Sequence, residues 1–142
     1  MIEGVIITQL SVMHAQGGDV LHAMKCSDLG YKNFGEAYFS TINPKAIKAW
    51  KRHKDMVLNI IVPVGSVRFI LYKDRKNSVE RFQEVILSRE SNYVRLTIPP
   101  MVWFGFQGLD EKKSIILNIA NIKHSSDEVE EKTLDKFEFN WN

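Results

Sequence analysis

Read for hydrophobic periodicity, the chain gives strand-sized segments one after another and no amphipathic helix of three turns or more. Strands are predicted over residues 5–12, 20–25, 36–42, 46–52, 57–64, 66–74, 81–87, 93–98 and 114–121. Turn chemistry separates them: Gly17, Gly18 and Asp19, then Asn43 with Pro44, Pro63 to Gly65, Lys76 to Ser78, and Pro99 with Pro100 supply residues that permit positive φ or hold it near −65°. Short strands at this spacing imply an all-β sandwich or barrel. Between Val67 and Tyr72 both faces are apolar except at Arg68. That strand is expected between the core and a second packed surface, which a dimer interface would supply.

Composition narrows the class without changing the picture. A length of 142 residues at 44% hydrophobic and 25% charged suits one compact domain spanning 1–142. Nineteen basic against seventeen acidic residues leave a net +2, with both signs scattered, so neither a nucleic-acid nor a membrane partner is expected. A lone cysteine, Cys26, makes no intrachain disulfide, and the chain does not open on a basic flank and a long apolar run; a cytoplasmic setting is expected. The apolar stretches fall far short of the roughly 20 residues that cross a bilayer. The acidic cluster Asp127, Glu128, Glu130 and Glu131 reads as a solvated turn.

Candidate chemistry concentrates in Ile47-Lys48-Ala49-Trp50-Lys51-Arg52-His53-Lys54 and the following residues 56–65. The layout resembles the first motif of the cupin barrels, two histidines two apart followed by an acidic ligand and a turn glycine; Lys51, His53, Leu58 and Gly65 hold those places. Residues two apart on a strand share a face, so such positions converge on one metal or substrate. Lysine and leucine in two ligand places, and Phe104 where the second motif carries its histidine, leave one imidazole, which does not hold a divalent ion alone. No metal or other cofactor is expected.

Several blocks in order, Phe34 to Ser40, residues 47–54, Leu71 to Arg75, residues 98–108 and Asn118 with Asp127 and Glu128, resemble the metal-free cupins that act on nucleotide sugars, the dTDP-4-dehydrorhamnose 3,5-epimerase-like family. The resemblance runs from about Gln16 to the end of the chain. It implies a jelly-roll (double-stranded β-helix) barrel, a homodimer, and a nucleotide-linked sugar bound in the barrel mouth. The implied reaction is isomerisation or epimerisation of a dTDP-4-keto-6-deoxy sugar, in surface-polysaccharide synthesis. A base removes a proton next to the ketone, cationic or hydrogen-bonding groups hold the enolate, and an acid reprotonates the opposite face.

Carried over residue by residue, the family's catalytic histidine falls on Lys51, a base only where its surroundings free the amine lone pair. His53 matches the second histidine of the His-x-His-Lys pattern in related sugar 3,4-ketoisomerases and shares a strand face with Lys51. The pair Lys51 and His53 is the expected acid–base couple; the plain alternative is a hydrogen-bonded structural histidine. The family's acid, a tyrosine on a late strand, has no counterpart in residues 116–122, and Gly17 stands where an arginine helps bind phosphate. Lys48 matches a phosphate-binding basic position, while Glu36, Tyr38 and Ser40 share one strand face toward the sugar or base. Trp50, Trp103, Phe104 and Phe106 either stack on the ligand or fill the barrel, with Trp103 the best ligand candidate. Arg75 either pairs with Asp74 or reaches phosphate in a partner subunit; His14, His22 and His124 are expected to be structural or exposed. The altered catalytic positions leave a second reading, a barrel that binds a sugar nucleotide or a partner without turnover.

Overall fold

The computed structural model describes residues 1–74 and 82–142. Among these the chain forms β1 (Ile6–Gln9), β2 (Val12–Met13), β3 (Val20–Leu21), β4 (Glu36–Ile42), β5 (Ile47–His53), β6 (Leu58–Val64), β7 (Ser66–Tyr72), β8 (Phe82–Ser88), β9 (Val94–Ile98), β10 (Trp103–Gly108), β11 (Ser114–Ala120) and β12 (Val129–Glu131). Two antiparallel five-stranded sheets face each other, β1-β9-β6-β11-β4 and β12-β5-β10-β7-β8, with β2 and β3 as a separate hairpin. This is the all-β, jelly-roll arrangement expected. The region 5–12 divides into β1 and β2, and 20–25 contracts to β3. The expected turn at Lys76 to Ser78 and the site candidate Arg75 lie outside the described residues.

Period-two alternation builds the core between the sheets. Leu58, Ile60 and Val62 of β6, Leu96 and Ile98 of β9, and Ile116 of β11 meet Val67, Phe69 and Leu71 of β7 and Phe104 of β10 in one buried cluster. Each such aliphatic side chain contributes about 1.5–3 kcal/mol through area removed from water. Phe69 is fully enclosed. Truncating a side chain in that setting costs about 3–5 kcal/mol. Gly65 turns the chain from β6 into β7 at φ 89°, where an added Cβ would stand 2.1 Å from the Ser114 hydroxyl oxygen. Glycine is required there twice over, by dihedral and by space.

Part of the outer face of each sheet is covered by the chain itself. On the first, Leu10, Ile61 and Tyr93 form a second apolar cluster with Val12, Leu21 and Leu117. Beside it lies the buried Arg95, whose Nη1 donates to the Ala23 carbonyl at 2.8 Å and to Asp28 at 3.1 Å, while Nη2 donates to the Leu29 carbonyl at 3.1 Å. On the second sheet, Phe137 and Trp141 of the C-terminal segment pack against Trp50, Ile70, Tyr72 and Trp103. The apolar outer face of β7 therefore finds its second packed surface in the C-terminal aromatics. The dimer interface inferred from that strand alone is not needed to bury it.

Two strands escaped the periodicity reading. β10 sits between β5 and β7, where Gly105 allows close approach: an added Cβ would lie 2.5 Å from that of Ala49. β12 carries the acidic residues expected in a solvated turn. Instead Val129, Glu130 and Glu131 pair with His53, Arg52 and Lys51, so the acidic run is the cross-strand complement of the basic one. No helix among the described residues is long and apolar enough to cross a membrane.

Candidate functional site

A cavity of about 380 Å³ opens between the sheets at the end bounded by β12. That volume lies in the range of small-ligand pockets. One wall is the inner face of the second sheet, with Lys48, Lys51 and His53 of β5 and Phe104 and Phe106 of β10. The facing wall comes from the first sheet, with Tyr38 and Ser40 of β4, Leu58 and Ile60 of β6, and Ile116 and Asn118 of β11. His124, Val129, Glu131 and Lys132 border it from the C-terminal side.

Strand β5 carries the densest chemistry because its alternation is interrupted. Phe104 pairs with Lys51 and Gly105 with Ala49, so Trp50 is the extra residue of a bulge. Its main chain instead exchanges two hydrogen bonds of 3.0 Å with Lys132. A bulge re-aims the side chains beside it. Lys48, Lys51 and His53 all reach the cavity, while Arg52 turns outward, its guanidinium 4.6 Å above the Trp103 ring and its Nε 2.5 Å from Glu130. That hydrogen bond and the Arg52 charge hold the Glu130 carboxyl below the usual range despite an opposing burial effect.

His53 is buried at 7% exposure, its ring stacked 6.1 Å from that of Phe104. Its Nδ1 is hydrogen-bonded to Oε1 of Glu128, itself buried. The other Glu128 oxygen accepts from the Asp55 and Met56 amides at 2.9 and 3.1 Å. Burial pushes the Glu128 carboxyl up, but the Asp55 amide, the His53 ring and the Met56 amide outweigh it and hold the group below its ordinary value. An ionised carboxylate only accepts, so Nδ1 carries the hydrogen, and in the neutral ring the lone pair is the one on Nε2. The arrangement holds one tautomer of one imidazole, as a proton-transferring histidine requires. Lys51 differs: its side chain is half exposed, with Nζ 3.6 Å from Glu131, a cation at the cavity rim.

The sequence candidates thus separate. His53, Lys51, Lys48, Tyr38 and Ser40 come together on one cavity; Lys48 also donates from Nζ to the Thr41 carbonyl at 3.2 Å. Glu36 does not line it, and its carboxylate instead accepts from the His124 amide at 3.1 Å, fixing the loop that carries His124 to the cavity edge. Trp103 is a correction. The alternation of β10 sends Phe104 and Phe106 inward and Trp103 to the outer face, among the C-terminal aromatics. Phe104 and Phe106 belong to the core and the cavity wall together, and Trp50 to the aromatic cluster and the wall.

Sequence reasoning gave no site role to Glu128, Lys132 or His124, all supplied by the segment after β11: Glu128 was noticed in the acidic cluster and the family resemblance, and His124 was expected to be structural or exposed. The acidic cluster was visible, but its pairing with the basic strand was not. Asn118 was noticed only as part of a resemblance; in the structure its Nδ2 donates to the Tyr38 hydroxyl at 3.0 Å, and its buried Oδ1 has no partner among the described residues.

A jelly roll with a polar cavity holding a carboxylate-oriented histidine defines a class of small-molecule binding or transforming barrels, and comparison narrows it. No protein-family profile matches the chain. A dTDP sugar isomerase from Desulfovibrio desulfuricans G20 is 37% identical and superposes with a TM-score of 0.92, over 99% of this chain and 92% of that one. The chain belongs to this family of dTDP-sugar isomerases and dTDP-4-dehydrorhamnose 3,5-epimerase-like proteins. The Bacillus subtilis spore coat polysaccharide biosynthesis protein SpsL is 26% identical over all of this chain and 97% of its own length. The dTDP-4-dehydrorhamnose 3,5-epimerase of Sulfolobus tokodaii, at 20% identity and a TM-score of 0.82 over 98% of this chain and 82% of that one, shares the fold.

Proposed function

We propose that the protein isomerises or epimerises a dTDP-linked 4-keto-6-deoxy sugar for surface-polysaccharide synthesis, by proton transfer between side chains and the carbon next to the ketone. The observation that carries this reading is the buried His53, held by the Glu128 carboxylate on a cavity that Lys48 and Lys51 also line. His53 Nε2 takes the proton from carbon. Lys51, a cation at the same cavity, stabilises the enolate oxygen, and Lys48 meets the diphosphate. Of the two roles open to Lys51, base or anion stabiliser, this reading takes the second.

A homodimer belongs to the same reading. β4 is an edge strand of the first sheet and exposes Phe39 at 69%, close in sequence to Phe34 at 64%. A free edge with exposed aromatics favours pairing with another chain. A monomeric mass in light scattering would remove this part. The exposed, unpaired Cys26 agrees with a reducing cytoplasmic setting.

The test incubates the protein with dTDP-4-keto-6-deoxyglucose in heavy water and follows deuterium entry at carbons 3 and 5 by NMR, alongside Lys51→Ala and His53→Ala. Entry that is lost in His53→Ala supports proton transfer through this site. Saturable shifts of the nucleotide signals without any deuterium entry favour the second reading, a barrel that binds without turnover.

A further inference from the structure

We propose that Tyr38 is the second proton-transfer group, acting from the cavity wall opposite His53; this rests on the isomerase reading above and supplies the acid it lacks. Reprotonating a carbon on the face opposite the base requires a donor on the other side of the ligand. His53 stands on the second sheet, and the facing wall belongs to the first. Of the first-sheet side chains lining that wall, Tyr38 is the one with a phenol, a far stronger acid than the Ser40 hydroxyl; Asn118 has no titrating proton and the others are aliphatic.

Two observations place the phenol for this work. Tyr38 and Asn118 are direct partners in the β4–β11 ladder, and the Asn118 amide donates to the phenol oxygen at 3.0 Å. The oxygen is thereby fixed as an acceptor toward Asn118, and no hydrogen bond among the described residues takes the phenol's own proton. The same Asn118 side chain leaves its Oδ1 buried without a donor among the described residues, on a residue that lines the cavity. A buried acceptor without a partner is costly, so the site is built to receive a donor from the ligand, such as a sugar hydroxyl. That contact would bring the ring within reach of the phenol on the same asparagine. Tyr38 is also 43% exposed, so water can restore its proton between turnovers.

The steps balance. His53 Nε2 takes the proton from the carbon next to the ketone; the C–H pair becomes the enolate double bond and the carbonyl oxygen takes the negative charge. The Tyr38 O–H bond then breaks as its proton adds to that carbon from the opposite face, the carbonyl re-forms, and a phenolate remains. The imidazolium releases a proton to water, the phenolate takes one from water, and nothing is oxidised or reduced.

The experiment compares wild type, Tyr38→Phe and His53→Ala on the same sugar nucleotide in heavy water, reading deuterium in recovered substrate and in inverted product by NMR. Tyr38→Phe keeps the ring but removes the acceptor of the Asn118 amide, so retention of the fold and of saturable nucleotide shifts is checked in the same variant. The expected result is a product rate about 100-fold lower, while recovered substrate still gains deuterium with its configuration retained, because His53 returns a deuteron to the face it deprotonates. Product formation by Tyr38→Phe within threefold of an active wild type overturns the assignment and leaves the isomerase reading standing. A wild type that neither exchanges nor forms product overturns both.

Discussion

The buried polar cluster around Arg95 and the one around His53 differ in what their unused valences face. Arg95 spends its guanidinium on the Ala23 and Leu29 carbonyls and on Asp28, while nearby Thr97 donates to Asn59, which donates to the Gly30 carbonyl. These groups lie on the outer face of the first sheet, and all tie the segment 23–30 down. His53 and Glu128 are also buried, but the His53 ring lines the cavity with Glu128 behind it, and no hydrogen bond among the described residues occupies Nε2. Burial alone does not distinguish a structural polar group from a chemical one. The direction of the remaining donor or acceptor does.

Mutations that separate stability from turnover test this contrast. The largest effect is expected for His53→Ala: product formation falls about 10²–10⁴-fold while the variant stays folded, because the Glu128 carboxylate keeps the Asp55 and Met56 amides. A variant that keeps a tenth of the wild-type rate would put His53 with the structural cluster. Arg95→Leu should do the reverse. Two carbonyls lose their donor at a fully buried position, costing about 2–4 kcal/mol, measured by urea unfolding, with the rate of still-folded protein within threefold of wild type. A large loss of rate in folded Arg95→Leu would link the outer clamp to the chemistry.

Glu128→Gln sharpens the comparison within one cluster. The amide keeps an acceptor but not the charge that fixes the imidazole tautomer, and about a 10-fold loss of rate is expected, by analogy with removal of groups that orient a histidine. An unchanged rate and pH profile would reduce Glu128 to a fold contact. The smallest effect is in acid. The Glu128 carboxyl is held below its ordinary value, so it stabilises the fold above the unfolded glutamate pKa of about 4.3, and that contribution is lost as pH falls through the lowered folded value. Asp28, lowered first by the Lys25 amide and then by Arg95, behaves the same way in the other cluster. Unfolding between pH 6 and pH 3 should therefore be less steep in Glu128→Gln than in wild type; identical slopes would show that the carboxylate adds no pH-dependent stability.

The strands that read most clearly from the chain were those with uninterrupted alternation. Residues 36–42 form a strand with the expected ends, and the predicted 66–74 becomes Ser66–Tyr72. β10 was hidden because its aromatic and glycine residues resemble a motif more than an alternating strand, and β12 because an acidic run reads as solvated when its basic partner is 75 or more residues away, as Glu128 is from His53. Of the site, Lys51 and His53 were legible from spacing along β5 and Tyr38 and Ser40 from spacing along β4, whereas Lys48 was found only through the family resemblance, since the bulge at Trp50 is what brings it to the same cavity. Trp103 was misplaced because a turn position says nothing about which way the following strand starts.

Period-two patterning, turn residues and the blocks shared with nucleotide-sugar cupins were enough to establish the all-β class, the jelly roll and the family, because these depend on local spacing and order along the chain. Which groups meet across the cavity depended on register: Glu131 against Lys51, Glu128 beside His53, and Asn118 against Tyr38. Register between distant strands is decided by the packing of two sheets and their covering segments at once, a cooperative choice that no window along the sequence contains.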